Sequence, residues 1–132
     1  MEFNGEIVFG IADANPIKVD FGEDILPTKI IDKRSIVALG RKAPKYIWTY
    51  LLKYNNEKEC LEKMISQLCE KSNYVNQLTK IYDEVYININ IRSDFAEIGF
   101  SLPNNILKKI SLLECTVNFA ILSFGMVSDE ES

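Results

Sequence analysis

The feature that most constrains the fold is a strict alternation at residues 84–92, with the sequence EVYININIR. In a β-strand successive side chains point to opposite faces of the sheet, so a period of two predicts a strand with one buried face. The apolar row that we expect to be buried consists of Val85, Ile87, Ile89 and Ile91. The row that we expect to face outward consists of Tyr86, Asn88, Asn90 and Arg92.

Other segments also have strand character. Residues 5–14, 46–54 and 115–125 alternate and are rich in β-branched and aromatic side chains. The shorter segment at 96–102, AEIGFSL, is predicted to form a hairpin with the strand at 84–92. We therefore expect a sheet of several strands.

Two segments have helical periodicity. In residues 55–83 apolar side chains recur at three- and four-residue spacing, with Asn56 as the predicted N-cap and a break near residues 71–73. Residues 103–114 begin with Pro103, which suits the first turn of a helix, and have their apolar residues on one helical face. Both helices are therefore expected to pack against the sheet.

The order of these elements predicts an α+β fold, a two-layer sandwich in which a mostly antiparallel sheet has two helices packed on one face. Residues 15–45, which contain prolines and glycines, are expected to be irregular apart from a short strand or helical turn at 29–39. Residues 1–125 are expected to form a single domain, with 126–132 as an acidic, frayed tail. The uncovered face of the sheet would then meet water or a partner, which accounts for the alternation.

The composition narrows the chemistry of the protein. The 132 residues include no histidine, which is the commonest general base and metal ligand, so we expect no enzyme activity, no cofactor and no metal site. The three cysteines lack metal-site spacing and are predicted to be free thiols in a reducing compartment. There is neither a long apolar run nor a signal sequence, so a cytoplasmic location without membrane contact is expected.

Charge is unevenly distributed along the chain. The net charge is −4, and the excess of acids lies in residues 67–132, which disfavours nucleic-acid binding and suits a basic protein partner. Basic residues crowd instead into the segment 29–45. A small anion could be bound there, and the candidate anion-binding residues are Lys29, Arg34, Arg41 and Lys42.

The outward row of the strand at 84–92 is the strongest candidate for a contact surface. Asparagine is poorly suited to strands, so its repetition either keeps an exposed face polar or serves a partner. Tyrosine and arginine are enriched at interface hot spots, and acids nearby would steer a cationic partner. The candidate partner-binding residues are Tyr86, Asn88, Asn90, Arg92, Asp94, Glu97 and Asn118.

From about residue 20 to 124 the order of motifs resembles a bacterial domain-of-unknown-function family, number forty-two seventy-nine. The resembling motifs are ILPTKI at 25–30, LGRK at 39–42, YIWTYLL at 46–52 and IGFSLPNNILKKISLLECTVNFAIL at 98–122. The chain departs from the family at VDFGEDIL, where members have a clear helix. The family has no established catalytic residues, and some small bacterial proteins similar to it are thought to be immunity proteins that block a toxin domain.

The function that we expect is therefore non-catalytic binding. The leading hypothesis is an immunity protein that neutralises a bacterial toxin, with a basic nuclease-type toxin as its partner. The alternative is a regulatory module that senses a small anion through the basic segment. A homodimer through the uncovered face or an edge strand stays open as well.

Overall fold

The computed structural model describes residues 3–36, 38–55, 59–95, 102 and 104–126, which contain one five-stranded sheet with the order β2-β3-β1-β4-β5. The strands are β1 (Phe3–Asp13), β2 (Lys29–Ile31), β3 (Tyr46–Asn55), β4 (Glu84–Phe95) and β5 (Thr116–Met126). The central strand, β1, is antiparallel to both β3 and β4, and β2 is antiparallel to β3. Only β4 and β5 run parallel within this sheet, so the predicted mostly antiparallel arrangement is confirmed.

Three helices occupy the described ranges: α1 (Glu59–Glu70), α2 (Ser72–Ile81) and α3 (Asn104–Ser111). The helix predicted over 55–83 with a break near residues 71–73 consists of two helices, and the interruption lies at Lys71, which departs from helical geometry with φ −114° and ψ 26°. None of these helices is long and apolar enough to cross a membrane.

Some predicted elements lie beyond the part of the chain that the structure describes. The predicted N-cap Asn56, the predicted tail at 126–132 apart from Met126, and the hairpin strand at 96–102 apart from Leu102 fall outside the described residues. The parallel strand β5 extends to Met126, one residue past the predicted end of the domain.

The helices cover one and the same face of the sheet, which confirms the two-layer α+β architecture. Their apolar sides meet alternate residues of β1, β3 and β4 in one core, because period-two strands and amphipathic helices each offer a single apolar surface. Side chains without solvent exposure in this core are Ile7, Phe9, Ile11, Met64, Ile65, Leu68, Val75, Ile87, Ile89 and Ile91.

The segment between β1 and β2 packs on the same helix-covered face. Phe21 and Ile25 are buried in the core. The ring centroid of Phe21 lies 5.6 Å from that of Phe9, 5.5 Å from that of Trp48 and 5.0 Å from that of Tyr74. This segment is irregular, as predicted, but it closes the edge of the core, which its proline and glycine content did not indicate.

Two tyrosine hydroxyls form hydrogen bonds with the backbone of the segment between β1 and β2 and so connect it to the helical layer. The backbone N–H of Asp20 donates a hydrogen bond to the Tyr74 hydroxyl at 3.1 Å. The Tyr82 hydroxyl accepts from the N–H of Lys18 at 2.9 Å and donates to the carbonyl of the same residue at 3.2 Å. The backbone groups of this irregular stretch therefore find partners without a sheet or a helix.

Candidate functional site

The side of the sheet opposite the helices has no helix packed on it within the described residues. We call this side the open face, and the side chains on it include those of Glu6, Val8, Tyr86, Asn88, Asn90, Thr116 and Asn118. All of them are half-buried or exposed, in contrast to the enclosed side chains of the core face. The outward row predicted from the alternation at 84–92 is therefore confirmed for Tyr86, Asn88 and Asn90.

The asparagines of the open face bond sideways across the strands. Asn88 and Asn118 are register partners on β4 and β5, and the Asn118 Nδ2 donates a hydrogen bond to the Asn88 Oδ1 at 2.9 Å. Asn90 donates from its Nδ2 to Glu6 Oε1 at 3.4 Å, across the β1–β4 pair. Each amide has more hydrogen-bonding groups than these contacts use, so the row still offers donors and acceptors at the surface.

Tyr86 is held on the open face by a glycine. It is the cross-strand partner of Gly10, and its ring lies so close over that residue that any side chain there would overlap it. Burial against the sheet, with a smaller effect from the Glu84 carboxylate, raises the pKa of the Tyr86 hydroxyl. The hydroxyl therefore stays protonated and able to donate a hydrogen bond at neutral pH.

An acidic cleft of about 400 Å³ opens at the end of the open face where β4 and β5 begin. We use the name acidic cleft for the space lined by Thr79, Asp83, Glu84, Val85, Tyr86, Glu114, Thr116 and Asn118. Its three carboxylates come from the residues just before or at the start of two parallel strands. Since parallel strands begin at the same end of a sheet, Glu114 lines the same cleft as Asp83 and Glu84 although it is far from them in sequence.

Hydrogen bonds from neighbouring side chains fix the backbone that carries these acids. The Asn76 Oδ1 on α2 accepts from the N–H of Glu114 at 2.8 Å, and its Nδ2 donates to the carbonyl of Leu112 at 3.0 Å. The carboxylate of Asp13, which is buried at the end of β1, accepts from the N–H of Asp83 at 2.8 Å. These hydrogen bonds therefore fix the backbone at Asp83 and at Glu114, on both sides of the acidic cleft.

A lysine of the protein itself borders the acidic cleft. The Lys45 Nζ lies 3.5 Å from Glu84 Oε2 and 3.7 Å from Asp83 Oδ2. All three side chains are substantially exposed, and ion pairs of this kind are worth about 0–1 kcal/mol. A cation from outside could therefore displace Lys45 at little cost.

The remaining candidate partner-binding residues belong to the last part of β4 and to the positions that follow it in sequence. Arg92 is the register partner of Asn4 on β1 and of Leu122 on β5. A register shift between Ser93 and Phe95 in the β4–β5 pair interrupts the ladder at Asp94. Glu97 lies outside the described residues.

The basic candidates for an anion site lie along the β2–β3 connection. Lys29 is on β2, whereas Arg34 and Lys42 lie on opposite sides of a small hairpin, which is closed by the bridge between Ile36 and Lys42. Arg41 follows a short 3₁₀ turn, and Arg34 itself has a left-handed backbone with φ 71°. All four side chains are exposed, and among the described residues none of them takes part in an ion pair.

The cysteines do not form a reactive centre in the described part of the chain. Cys69 and Cys115 are free and half-buried, and burial raises the pKa of the Cys115 thiol to about 11. Desolvation also raises the pKa of Cys69, whose Sγ donates to the Lys109 carbonyl at 3.2 Å. Neither thiol is a thiolate at neutral pH, so neither is activated as a nucleophile.

The acidic cleft was only partly foreseen from the sequence. In the sequence Asp83 and Glu84 stand out as adjacent acids, but no local pattern connects Glu114 with them. The sequence shows only that Asp83 and Glu114 each directly precede a predicted strand, which does not by itself bring them to one site. The described residues contain no group of three or more Cys, Asp or Glu side chains that could hold a metal ion.

Comparisons with known proteins add no relative to this picture. The chain matches no protein-family model, no curated protein and no solved structure. The resemblance to family forty-two seventy-nine therefore stays a prediction, and the open face with its acidic cleft is the feature from which a function has to be inferred.

Proposed function

We propose that this protein is a non-catalytic binding protein whose open face, together with the acidic cleft, binds a basic protein partner. The observation that carries the proposal is that Asp83, Glu84 and Glu114 line one cleft beside a row of half-exposed asparagines. Carboxylates attract a cationic surface over a distance, and amides and a tyrosine hydroxyl supply adaptable short-range hydrogen bonds.

The acidic cleft suits the side chain of an arginine or a lysine better than a bare metal ion. Its volume of about 400 Å³ exceeds the space that a coordinated ion needs. Its walls offer carboxylates for charge-assisted hydrogen bonds, together with Thr116 and Asn118 as neutral partners. A partner side chain inserted here would replace Lys45, which is held only by exposed ion pairs.

The partner that we propose is a bacterial toxin domain with a basic, nuclease-type active cleft. An acidic protein surface can occupy such a cleft because it reproduces part of the electrostatic field of the nucleic-acid substrate. The net charge of −4 and the resemblance described above support this choice. The protein would then act as an immunity protein.

The test measures the nuclease activity of a toxin domain encoded beside this gene while the protein is titrated. We expect complete inhibition near equimolar amounts. We also expect a Glu84→Gln/Glu114→Gln variant to bind at least tenfold more weakly at low salt, with a smaller loss at high salt, because salt screens the steering charges.

The matched control is Glu23→Gln/Glu62→Gln, which removes the same charge from exposed positions away from the open face. It should bind as tightly as the unmodified protein. Full toxin activity at saturating protein would reject the immunity function. Equal losses in both variants would reject the acidic cleft as the binding site.

A second function has its own observation, namely that Arg34, Arg41 and Lys42 share one exposed hairpin. We propose as the alternative that this hairpin binds a small anion in a regulatory module. Inorganic phosphate at 100 times its dissociation constant should stabilise the protein by about 2.7 kcal/mol, which a thermal-shift assay detects. An Arg41→Ala/Lys42→Ala variant should lose the shift, whereas Lys63→Ala on α1 should keep it. No shift with the unmodified protein would eliminate this alternative.

A further inference from the structure

The β5 edge of the sheet, by which we mean the side of β5 facing away from β4, has no strand paired with it among the described residues. The strand runs from Thr116 to Met126, about 37 Å at the usual rise of a strand residue. Backbone N–H and C=O groups alternate along such an edge and can pair with another strand.

The opposite edge of the sheet is protected in ways that the β5 edge is not. There β2 is only three residues long, carries Lys29 and follows Pro27 by two positions, and short length, lysine and proline all discourage edge-to-edge pairing. By contrast, the sequence of β5, TVNFAILSFGM, contains no charged residue and no proline. The β2 edge therefore has features that discourage pairing with another strand, and the β5 edge lacks them.

An apolar surface accompanies the β5 edge on the helix-covered side. Phe119 and Ile121 are 49% and 58% exposed, although their register partners on β4, Ile89 and Ile91, are completely buried. The helices thus cover β4 but not the outer part of β5. A strand that paired with this edge would also have to bring apolar side chains against these two.

We propose that the occupant of the β5 edge is the β5 strand of a second copy, paired antiparallel about a two-fold axis. A two-fold contact requires a surface that is complementary to itself, and an uncharged strand meets this requirement, because opposing copies bring no like charges face to face. With the axis at Ala120, Phe119 of one copy lies opposite Ile121 of the other. The two sheets then form one continuous sheet of ten strands.

The dimer leaves the open face of each copy uncovered, because the two-fold axis runs perpendicular to the joined sheet. Both open faces therefore lie on the same side of the assembly. This inference does not depend on the proposed function, since the contact uses the edge and the helix-covered side. If the proposed function holds, the dimer presents two partner sites side by side.

The test is the mass of the protein in solution, measured by sedimentation at several concentrations. We expect the unmodified chain to reach twice its mass of 15.1 kDa at high micromolar concentration. An Ile121→Lys variant should stay monomeric, because it places two lysines at the contact. Ile30→Lys is the matched control, since Ile30 is similarly exposed on the opposite edge strand, and it should dimerise normally.

Circular dichroism shows whether both variants keep the fold, which the exposure of the two isoleucines leads us to expect. A monomer at every concentration would overturn the proposal, as would an Ile121→Lys dimer or an Ile30→Lys monomer. A further variant, Ala120→Cys, should form an intermolecular disulfide on mild oxidation, since paired residues of antiparallel strands lie about 4.5–5.5 Å apart at their Cα atoms. A failure of dimeric Ala120→Cys to cross-link would overturn the position of the axis.

Discussion

The two faces of the sheet share the same strands but differ in what covers them. On β4, Ile87, Ile89 and Ile91 are completely buried under the helices, whereas Asn88 and Asn90, which lie between them, are half-exposed. Every second residue of β4 therefore packs in the core, and the residues between them form part of the open face. Because the core face provides the packing energy, the open face can contain residues that are unfavourable in strands.

The largest effect expected from this comparison comes from Phe9→Ala. The ring is fully buried and lies 5.6 Å from Phe21 and 6.1 Å from Trp48 between centroids, so its removal leaves a cavity that costs about 3–5 kcal/mol. Val8→Ala, one residue away on the open face, should cost about 1 kcal/mol, because that side chain is only half-buried. Urea unfolding measures both values. Equal losses would contradict the division into two faces.

A smaller effect is expected from Gly10→Ala, at about 1–2 kcal/mol, because the new Cβ displaces the Tyr86 ring. That ring lies on the open face and can move toward solvent, which limits the cost. In a Tyr86→Ala background the same change should be neutral or stabilising, since alanine suits a strand better than glycine. A double-mutant cycle by urea unfolding gives the coupling. If the two substitutions change the free energy of unfolding additively, the position of the Tyr86 ring does not depend on the missing side chain at Gly10.

Lowering the pH should reduce the stability of the folded protein through Asp13, which is buried at the end of β1. Hydrogen bonds from the N–H of Asp83, then of Asn15, hold its pKa below the ordinary value of 3.8. Its contribution to stability is therefore present above that value and is lost as the pH falls through the lower, folded-state pKa. Asp13→Asn should be less stable than the unmodified protein at pH 7, with a difference that disappears in strong acid. A difference independent of pH would contradict this role.

The smallest effect is expected from Asn118→Ala, which removes the hydrogen bond to Asn88. This bond is solvent-exposed and water can replace it, so the loss should stay below about 0.5 kcal/mol. If the proposed function is right, the same variant should weaken partner binding measurably while stability hardly changes. A loss of stability as large as that of Phe9→Ala would show that the amide row is structural.

Strand and helix content followed from local patterns. The burial of Trp48 and Tyr50 and the alternation of β4 were readable because a period of two dictates which side chains share a face. The parallel pairing of β4 with β5, by contrast, depends on a connection through α3 whose direction no local pattern encodes. For that reason Glu114 could not be placed beside Asp83 from the sequence.

The packing of the segment between β1 and β2 was also unpredictable, for a different reason. Phe21 and Ile25 lie among prolines, glycines and acids, which indicate only that regular structure is absent. Their burial depends on the rings of Phe9, Trp48 and Tyr74, which other elements bring together. The register shift at Asp94 likewise arises between two strands and not within one.

The central place of β1 has a consequence for how the chain folds during synthesis. Ile7 pairs with Leu52 on one side and with Ile89 on the other, so β1 gains its second neighbour only after β4 has left the ribosome. Contacts between residues so far apart in sequence slow folding, because a long loop has to close before they form. Until β4 emerges, one edge of the apolar strand β1 is without its native neighbour, and we expect chaperones to bind the nascent chain in this period.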